Sequence, residues 1–172
     1  MSPVAVGPAF VDLPAADGGR YSLSSFDAEL LVVVFLGNGC PTAKSSEDVL
    51  IDLHGAYADR GVGLVAVNPN NPFLSPPDTL AEMAKRSALK RYPFPYLKDA
   101  DGQLARACGV TRTPEVVVLD GGRQVRYQGR VLDARDPARA RRRDLQEALD
   151  DLLAGRGVRV PVTDALGCSI VW

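Results

Sequence analysis

The apolar residues of the first half of the chain form two unbroken runs, separated by a segment in which they recur with helical spacing. Residues 30–37, LLVVVFLG, form a continuous β-branched run, which is typical of a strand covered on both faces. The apolar positions after Pro41 fall on one helical face: Val49, Leu50, Leu53 and Tyr57. Residues 62–68, VGLVAVN, predict a second buried strand. The three segments form a β-α-β unit, for which we expect a right-handed crossover.

The second half of the chain predicts shorter elements. A loop rich in Pro and Asn at 68–77 precedes a helix from about Asp78 to Lys90, and a brief helix follows at 104–108. EVVVLD and RQVRYQG flank Gly121-Gly122, which predicts a hairpin with a two-residue glycine turn. ARRRDLQEALDDLLAGRG predicts a closing amphipathic helix ended by glycines. This order indicates an α/β domain, with a central mixed β-sheet flanked by helices on both faces.

Composition and charge narrow the choice of partners. A chain of 172 residues with 46% apolar composition is expected to form one packed core, and a net charge of −1 gives no overall attraction to nucleic acid or anionic lipid. The basic run at 138–144 is followed by acidic residues, which predicts a charge-balanced surface on one helix. The longest apolar stretch is far shorter than the roughly 20 residues of a membrane span, and the first ten residues lack the basic start of a signal peptide. We expect a cytoplasmic protein with no membrane or nucleic-acid partner.

Three cysteines and one histidine limit the metal chemistry. Cys40, Cys108 and Cys168 are too widely spaced for a zinc ribbon or a secreted disulfide framework, and His54 alone cannot form a multi-histidine site. We therefore expect neither metal nor cofactor. His54 also cannot serve as a base for Cys40, because a continuous helix separates the two by roughly 21 Å. Asp99, which lies close to a glycine, is interpreted as a turn residue.

Cys40 lies where the first buried strand leads into a helix. Pro41 suits the first helical position, and the free amides and dipole at a helix N-terminus stabilise a thiolate. Such a site lowers a cysteine pKa from about 8.5 into the range of roughly 3.5 to 7.5. Lys44, one turn further on, is either a second positive charge near the sulfur or a solvated side chain. The alternative for Cys40 is a small buried apolar residue.

Four motifs stand out along the chain: FLGNGCPTAK, TRTPEVVVLD, the initial VGPAFVDLPAADGGRYSLSSF and the terminal GCSIVW. Together they resemble motifs of the thioredoxin-like redoxins, in particular the peroxiredoxin-like (AhpC/TSA-type) branch. The resemblance implies a thioredoxin-like fold with an N-terminal extension, a redoxin domain at 1–157 and a docked tail at 158–172. It also implies that Cys40 is the nucleophile and that a cis-proline, Pro114 after Thr113, faces it.

The chain also departs from these families. Ala43 stands where thioredoxins have a second cysteine, so Cys40 has no partner three residues away. Gly37 and Arg112 stand where similar redoxins often carry further cysteines. Peroxiredoxins have threonine or serine at the position of Gly37 and proline at that of Val33, so the resemblance does not by itself imply efficient peroxidase chemistry.

Turnover of an oxidised thiol requires a second thiol, and two cysteines compete for this role. Cys108 is expected to be a core side chain. Cys168 lies beside Ile170, Val171 and Trp172, whose burial is worth roughly 1.5–3 kcal/mol each, so we expect the tail to dock. Cys168 then either resolves Cys40 or is an inert buried thiol. Arg112 either helps to stabilise the thiolate or is a solvated loop residue.

Three functions remain open from the sequence. The leading hypothesis is a thiol-based oxidoreductase, in which Cys40 attacks a disulfide, Thr113 and Pro114 shape the groove, and Cys168 or an external thiol resolves the intermediate. Its partners are a protein or small-molecule disulfide or peroxide and a thiol reductant such as thioredoxin. The alternatives are a thiol peroxidase acting through a Cys40 sulfenic acid and a redox-silent thioredoxin-like binding module. The oligomeric state stays open.

Overall fold

A five-stranded mixed sheet forms the centre of the computed structural model, which describes residues 7–172. The first six residues, which the sequence analysis included in the redoxin domain, lie outside the described residues. The strands are β1 (Leu13–Pro14), β2 (Arg20–Tyr21), β3 (Leu30–Phe35), β4 (Val62–Asn68), β5 (Tyr96–Lys98), β6 (Arg112–Thr113), β7 (Glu115–Leu119), β8 (Val125–Gly129) and β9 (Cys168–Ser169). The helices are α1 (Pro41–Tyr57), α2 (Leu80–Lys90), α3 (Gln103–Cys108) and α4 (Asp144–Leu153).

The sheet order is β5-β4-β3-β7-β8. β3, β4 and β5 run parallel, whereas β7 and β8 join antiparallel, so the predicted mixed sheet is confirmed. Every residue of β3 is buried, because successive side chains point to opposite faces and both faces are covered. The unbroken apolar run thus marks the centre of the sheet.

Helices cover both faces of the sheet. Leu50 of α1, Met83 of α2 and Leu149 of α4 pack into one core, which also receives Val32 and Val34 of β3. Leu104 and Ala105 of α3 pack into the other core, together with the following apolar residues: Phe10, Leu31, Val33, Phe35 and Ile170. The fold is therefore thioredoxin-like α/β, with the carboxyl ends of the three parallel strands meeting at one edge.

The predicted hairpin of β7 and β8 is confirmed, but its connection is longer than the predicted two-residue turn. β7 ends at Leu119 and β8 begins at Val125, so five residues connect them. The Arg123 amide donates to the Asp120 carbonyl over 2.8 Å, and Arg123, not either glycine, adopts a positive φ of 60°. The glycine pair is thus part of a longer turn that ends on a left-handed arginine.

The closing helix begins later than its sequence suggested. α4 starts at Asp144, so the arginine-rich run precedes the helix and does not share its surface. Arg142 folds forward to pair with Glu147, which keeps the charges balanced by contact across the helix start. The prediction that the basic run and the acidic residues share one helix is therefore wrong, whereas the predicted balance of opposite charges is present.

The chain after α4 runs back across the sheet edge. The buried carboxylate of Asp151 accepts hydrogen bonds from the Arg159 backbone amide and from the Arg159 and Arg156 side chains, and these bonds hold its pKa down at about 2. The Gln128 amide of β8 then donates to the Pro161 carbonyl over 3.0 Å. These contacts lead the tail from the end of α4 towards the carboxyl edge of the sheet.

None of the helices in residues 7–172 is both long enough and apolar enough to cross a membrane.

Candidate active site

Cys40 is the N-cap of α1, directly after the central strand β3. Pro41 occupies the first turn, as the sequence predicts, and the Ala43 amide donates to Cys40 Sγ over 3.4 Å. Only 5% of Cys40 is exposed. The sulfur therefore lies against the free amides of the helix N-terminus, an environment that stabilises negative charge.

A proline-containing strand faces this sulfur. The Thr113–Pro114 peptide bond is cis, as the family resemblance implies, and both residues are buried. The Thr113 carbonyl oxygen lies 3.2 Å from Cys40 Sγ. In the dithiol form the Cys40 thiol can donate to this carbonyl, so the backbone before Pro114 forms one wall of the site.

The tail brings a second sulfur to the same place. β9 pairs antiparallel with β6, with Cys168 opposite Thr113 and Ser169 opposite Arg112. Cys40 and Cys168 form a disulfide across 128 positions of the chain, and their Cα atoms are 6.0 Å apart. Cys168 is more exposed than Cys40, being half-buried. The structure thus joins the two cysteines that the docking hypothesis brings together.

Backbone and side-chain contacts hold the tail beyond this disulfide. The Ile170 amide donates to the Thr111 carbonyl over 3.0 Å, and the Ile170 side chain is buried. Trp172 remains 41% exposed, with the Arg106 guanidinium 4.3 Å from its ring centroid. Of the three apolar residues expected to drive docking, only Ile170 is fully buried, so hydrogen bonds and the disulfide contribute much of the attachment.

Arg112 contacts the tail. Its Nη1 donates to the Gly167 carbonyl over 3.2 Å, next to Cys168. The guanidinium therefore supports the docked segment in the disulfide form.

Lys44 is exposed on α1, and its backbone amide donates to the Cys40 carbonyl as part of the helix. None of the ion pairs found within residues 7–172 involves it. Its position fits the solvated alternative.

The other two candidate groups lie apart from the sulfur pair. Cys108 ends α3, packs partly buried against the core, and has its pKa raised to about 12, mainly by burial. His54 lies in the last turn of the continuous helix α1, where its ring packs on Phe94 at 5.9 Å. Burial lowers the His54 pKa. Neither residue belongs to the site around Cys40.

A buried polar network beside the site was missed by the sequence analysis. Asp78, 1% exposed, accepts from the Asn38 amide over 2.7 Å and from the Asn70 side chain over 3.1 Å. Lys98 is also buried, donates to Asn68 Oδ1, and has its pKa lowered to about 8 by burial, against the opposing charge of Asp78. One sequence signal points there: Asn68, Asn70 and Lys98 end or directly follow parallel strands, whose carboxyl ends meet at one edge.

Within residues 7–172, the His, Cys, Asp and Glu side chains form no group of three or more suited to holding a metal ion. Asp99, interpreted as a turn residue, is buried and accepts from the Leu104 and Ala105 amides at the start of α3.

Comparisons with known proteins agree with this geometry. Residues 7–128 match the AhpC/TSA family. The thiol-disulfide oxidoreductase ResA of Geobacillus thermodenitrificans is 26% identical over 125 residues, which cover 72% of this chain and 68% of that protein. An uncharacterized conserved protein from Geobacillus kaustophilus superimposes with a TM-score of 0.91 at 32% identity, covering 100% of this chain and 93% of the other.

A hypothetical protein from Sinorhizobium meliloti 1021 also gives a TM-score of 0.91, at 33% identity over 100% of this chain and 95% of its own. The family match spans β3, Cys40 with the helix that it caps, and the cis-proline, and the tail adds the second sulfur. The chain therefore belongs to the AhpC/TSA family, as a thioredoxin-like redoxin whose chemistry is thiol-dependent oxidation and reduction.

Proposed function

We propose that this protein reduces disulfides by thiol–disulfide exchange, with Cys40 as the nucleophile and Cys168 as the resolving thiol. One observation carries the proposal: the disulfide joins a sulfur at a helix N-terminus, beside a cis-proline, to a sulfur on the C-terminal tail. Because the chain lacks a cysteine at position 43, the tail supplies the thiol that the helix does not.

The reaction has two exchange steps. The Cys40 thiolate attacks one sulfur of the substrate disulfide, forms a mixed disulfide with it, and releases the other substrate sulfur as a thiolate. The Cys168 thiolate then attacks Cys40 Sγ, which forms the Cys40–Cys168 disulfide and releases the second substrate thiolate. Protons from solvent neutralise the released thiolates. The substrate gains two electrons, and the protein dithiol loses two.

An external dithiol must return the protein to its starting state. Cys40 is buried whereas Cys168 is half-buried, so the reductant reaches Cys168 Sγ and displaces Cys40 as the leaving thiolate. The second thiol of the reductant then attacks the mixed disulfide on Cys168. Thioredoxin has this chemistry, and it operates in the cytoplasm, the compartment that we propose for this protein.

Single-turnover mixing tests the assignment. We expect the reduced Cys168→Ser variant to accumulate a mixed disulfide on Cys40 when mixed with a small protein disulfide, because the second step is blocked. We expect Cys40→Ser to form no productive adduct and the wild-type protein to end with the Cys40–Cys168 disulfide. Peptide mapping under non-reducing conditions identifies each species, and Cys108→Ser, which leaves both proposed thiols intact, is the matched control.

Other outcomes assign other functions. If hydrogen peroxide rapidly sulfenylates Cys40 in the wild-type protein and protein disulfides do not react with it, the protein is a thiol peroxidase. The AhpC/TSA family match supports this alternative. A protein that reacts with neither is a redox-silent binding module. Adducts that form on Cys168 first, in the reduced wild-type protein, contradict the assignment of Cys40 as nucleophile.

A further inference from the structure

Asn70 lies beyond the end of β4 and is 6% exposed. Its backbone amide and carbonyl and its side-chain oxygen and nitrogen all have hydrogen-bond partners. Its side-chain Oδ1 accepts from the Val171 amide over 2.8 Å, and its Nδ2 donates to Asp78 over 3.1 Å. Its backbone amide donates to Asn68 over 3.1 Å, and its carbonyl accepts from Lys98 Nζ over 2.6 Å. So many bonds to buried groups fix the Asn70 amide in one orientation.

The two ends of this arrangement reach the two cysteine-bearing segments. Val171 lies three residues after Cys168 on the tail. Asp78, the partner of Asn70 Nδ2, also accepts from the backbone amide of Asn38, two residues before Cys40. A single buried network therefore connects the loop before one sulfur with the tail that carries the other.

Gly37, three residues before Cys40, makes room for the Asn70 side chain. A Cβ at position 37 would lie 2.7 Å from Asn70 Nδ2, which is closer than a carbon and an amide nitrogen can pack. Threonine or serine, which peroxiredoxins have at this position, would displace the Asn70 amide. The departure at Gly37 and the buried Asn70 are thus two parts of one local arrangement.

We propose that Asn70 is a positioning residue that seats the C-terminal tail through the Val171 amide, so that Cys168 meets Cys40. This role rests on the proposed exchange function. Asn70 touches neither sulfur. In the dithiol form, before the disulfide closes, it acts by raising the effective concentration of Cys168 at Cys40. The network behind it, through Asp78 to Asn38, holds the acceptor in line with the tail.

A double-mutant cycle on the closing of the disulfide tests this role. Asn70→Ala removes the acceptor together with the Nδ2 donor to Asp78. Val171→Pro removes only the N–H donor on the tail and leaves the side chains of Asn70, Asp78 and Asn38 unchanged. In a glutathione redox buffer, we expect each variant to lower the equilibrium constant for Cys40–Cys168 closure by about tenfold, the value of one buried hydrogen bond. This corresponds to a disulfide potential less negative by about 30 mV. The losses should not add in full in the double variant, because the bond between Asn70 Oδ1 and the Val171 amide can be removed only once.

Two further measurements separate positioning from general damage. In a Cys168→Ser background, the alkylation rate of Cys40 should be the same with and without the Asn70→Ala substitution, whereas a disturbed helix start would change it. The exposed Lys85→Ala variant should close its disulfide like the wild-type protein.

Three outcomes are informative against the proposal. Equal closure in Asn70→Ala and wild-type protein overturns the role of Asn70. Losses that add in full in the double variant show that Asn70 acts through the fold and not through the tail, which also overturns it. A wild-type protein that closes no Cys40–Cys168 disulfide at all contradicts the exchange function itself, and so the two failures are distinguishable.

Discussion

At the scale of single residues, the three cysteines have different chemistry because their surroundings differ. Cys40 and Cys168 are joined in the disulfide, whereas Cys108 is free and packs against the core beside Leu104 and Val110. Burial, with smaller contributions from Asp99 and Glu115, raises the Cys108 pKa to about 12. The Cys108 thiol therefore stays protonated at neutral pH and is a poor nucleophile.

Cys108 should be protected from alkylation in the native protein. At pH 8 we expect iodoacetamide to modify it roughly a thousand times more slowly than an unstructured cysteine with a pKa of about 8.5. The rate should rise towards pH 12 and should reach the unstructured value on unfolding in urea. Mass spectrometry of the oxidised protein, in which Cys108 is the free thiol, measures this directly; rapid labelling at pH 8 would contradict the assigned burial.

The same raised pKa links Cys108 to stability. The pKa of the Cys108 thiol is higher in the folded protein than in the unfolded chain. The contribution of this thiol to the free energy of unfolding is therefore present below about pH 8.5 and is lost as the pH rises towards 12. A Cys108→Ala variant should lose less stability over that range than the wild-type protein.

At the scale of elements, the local sequence pattern predicts the parts of the fold that depend on local burial. The unbroken run of β3 and the proline at the start of α1 placed Cys40 at a helix N-terminus, and the structure confirms both. The hairpin turn and the start of α4 were wrong because both depend on tertiary contacts. Asp144 at the start of α4, for example, is buried against Arg130, which pairs with it from the end of β8.

Contacts between distant segments account for the rest of the site. The Asn70 side chain meets Val171, about 100 residues further along, and no periodicity in either segment signals that contact. The asparagine-rich stretch that contains Asn70 predicts only a loop. By contrast, the cluster of apolar residues after Cys168 does indicate docking, because such residues are unfavourable in water.

Gly167 is a specific requirement of the β6–β9 pairing. A Cβ at this position would overlap the Thr113 carbonyl, which is part of the backbone and cannot move aside. We expect Gly167→Ala to weaken tail docking by about 1–3 kcal/mol, the usual cost of overpacking, and so to lower the equilibrium constant for disulfide closure by about fivefold to a hundredfold. Closure in a glutathione redox buffer measures the effect.

Gly157→Ala is the matched control for this substitution, because a Cβ there meets no atom within 4 Å. It should close its disulfide as the wild-type protein does. If Gly167→Ala and Gly157→Ala behave alike, the tail does not need the close backbone approach at Thr113.

At the scale of the whole molecule, we expect the oxidation state to determine whether the tail is attached. Ordering residues 167–172 costs roughly 1–2 kcal/mol for each backbone. Burial of Ile170 stabilises the docked tail by roughly 1.5–3 kcal/mol, and each hydrogen bond to the domain stabilises it by about 1 kcal/mol. These contributions nearly cancel, so the Cys40–Cys168 bond decides between a docked and a released tail.

Trp172 reports this transition because it is the single tryptophan of the chain and lies against Arg106. We expect reduction to lower the fluorescence anisotropy of Trp172 and to shift its emission to the red, as the indole leaves the Arg106 side chain for water. Cys168→Ser should show the released values with or without oxidant, since it cannot form the bond. Identical anisotropy in the oxidised and reduced wild-type protein would mean that the non-covalent contacts alone keep the tail docked. In that case substrate would have to reach Cys40 with the tail in place, and the tail would line the site throughout turnover.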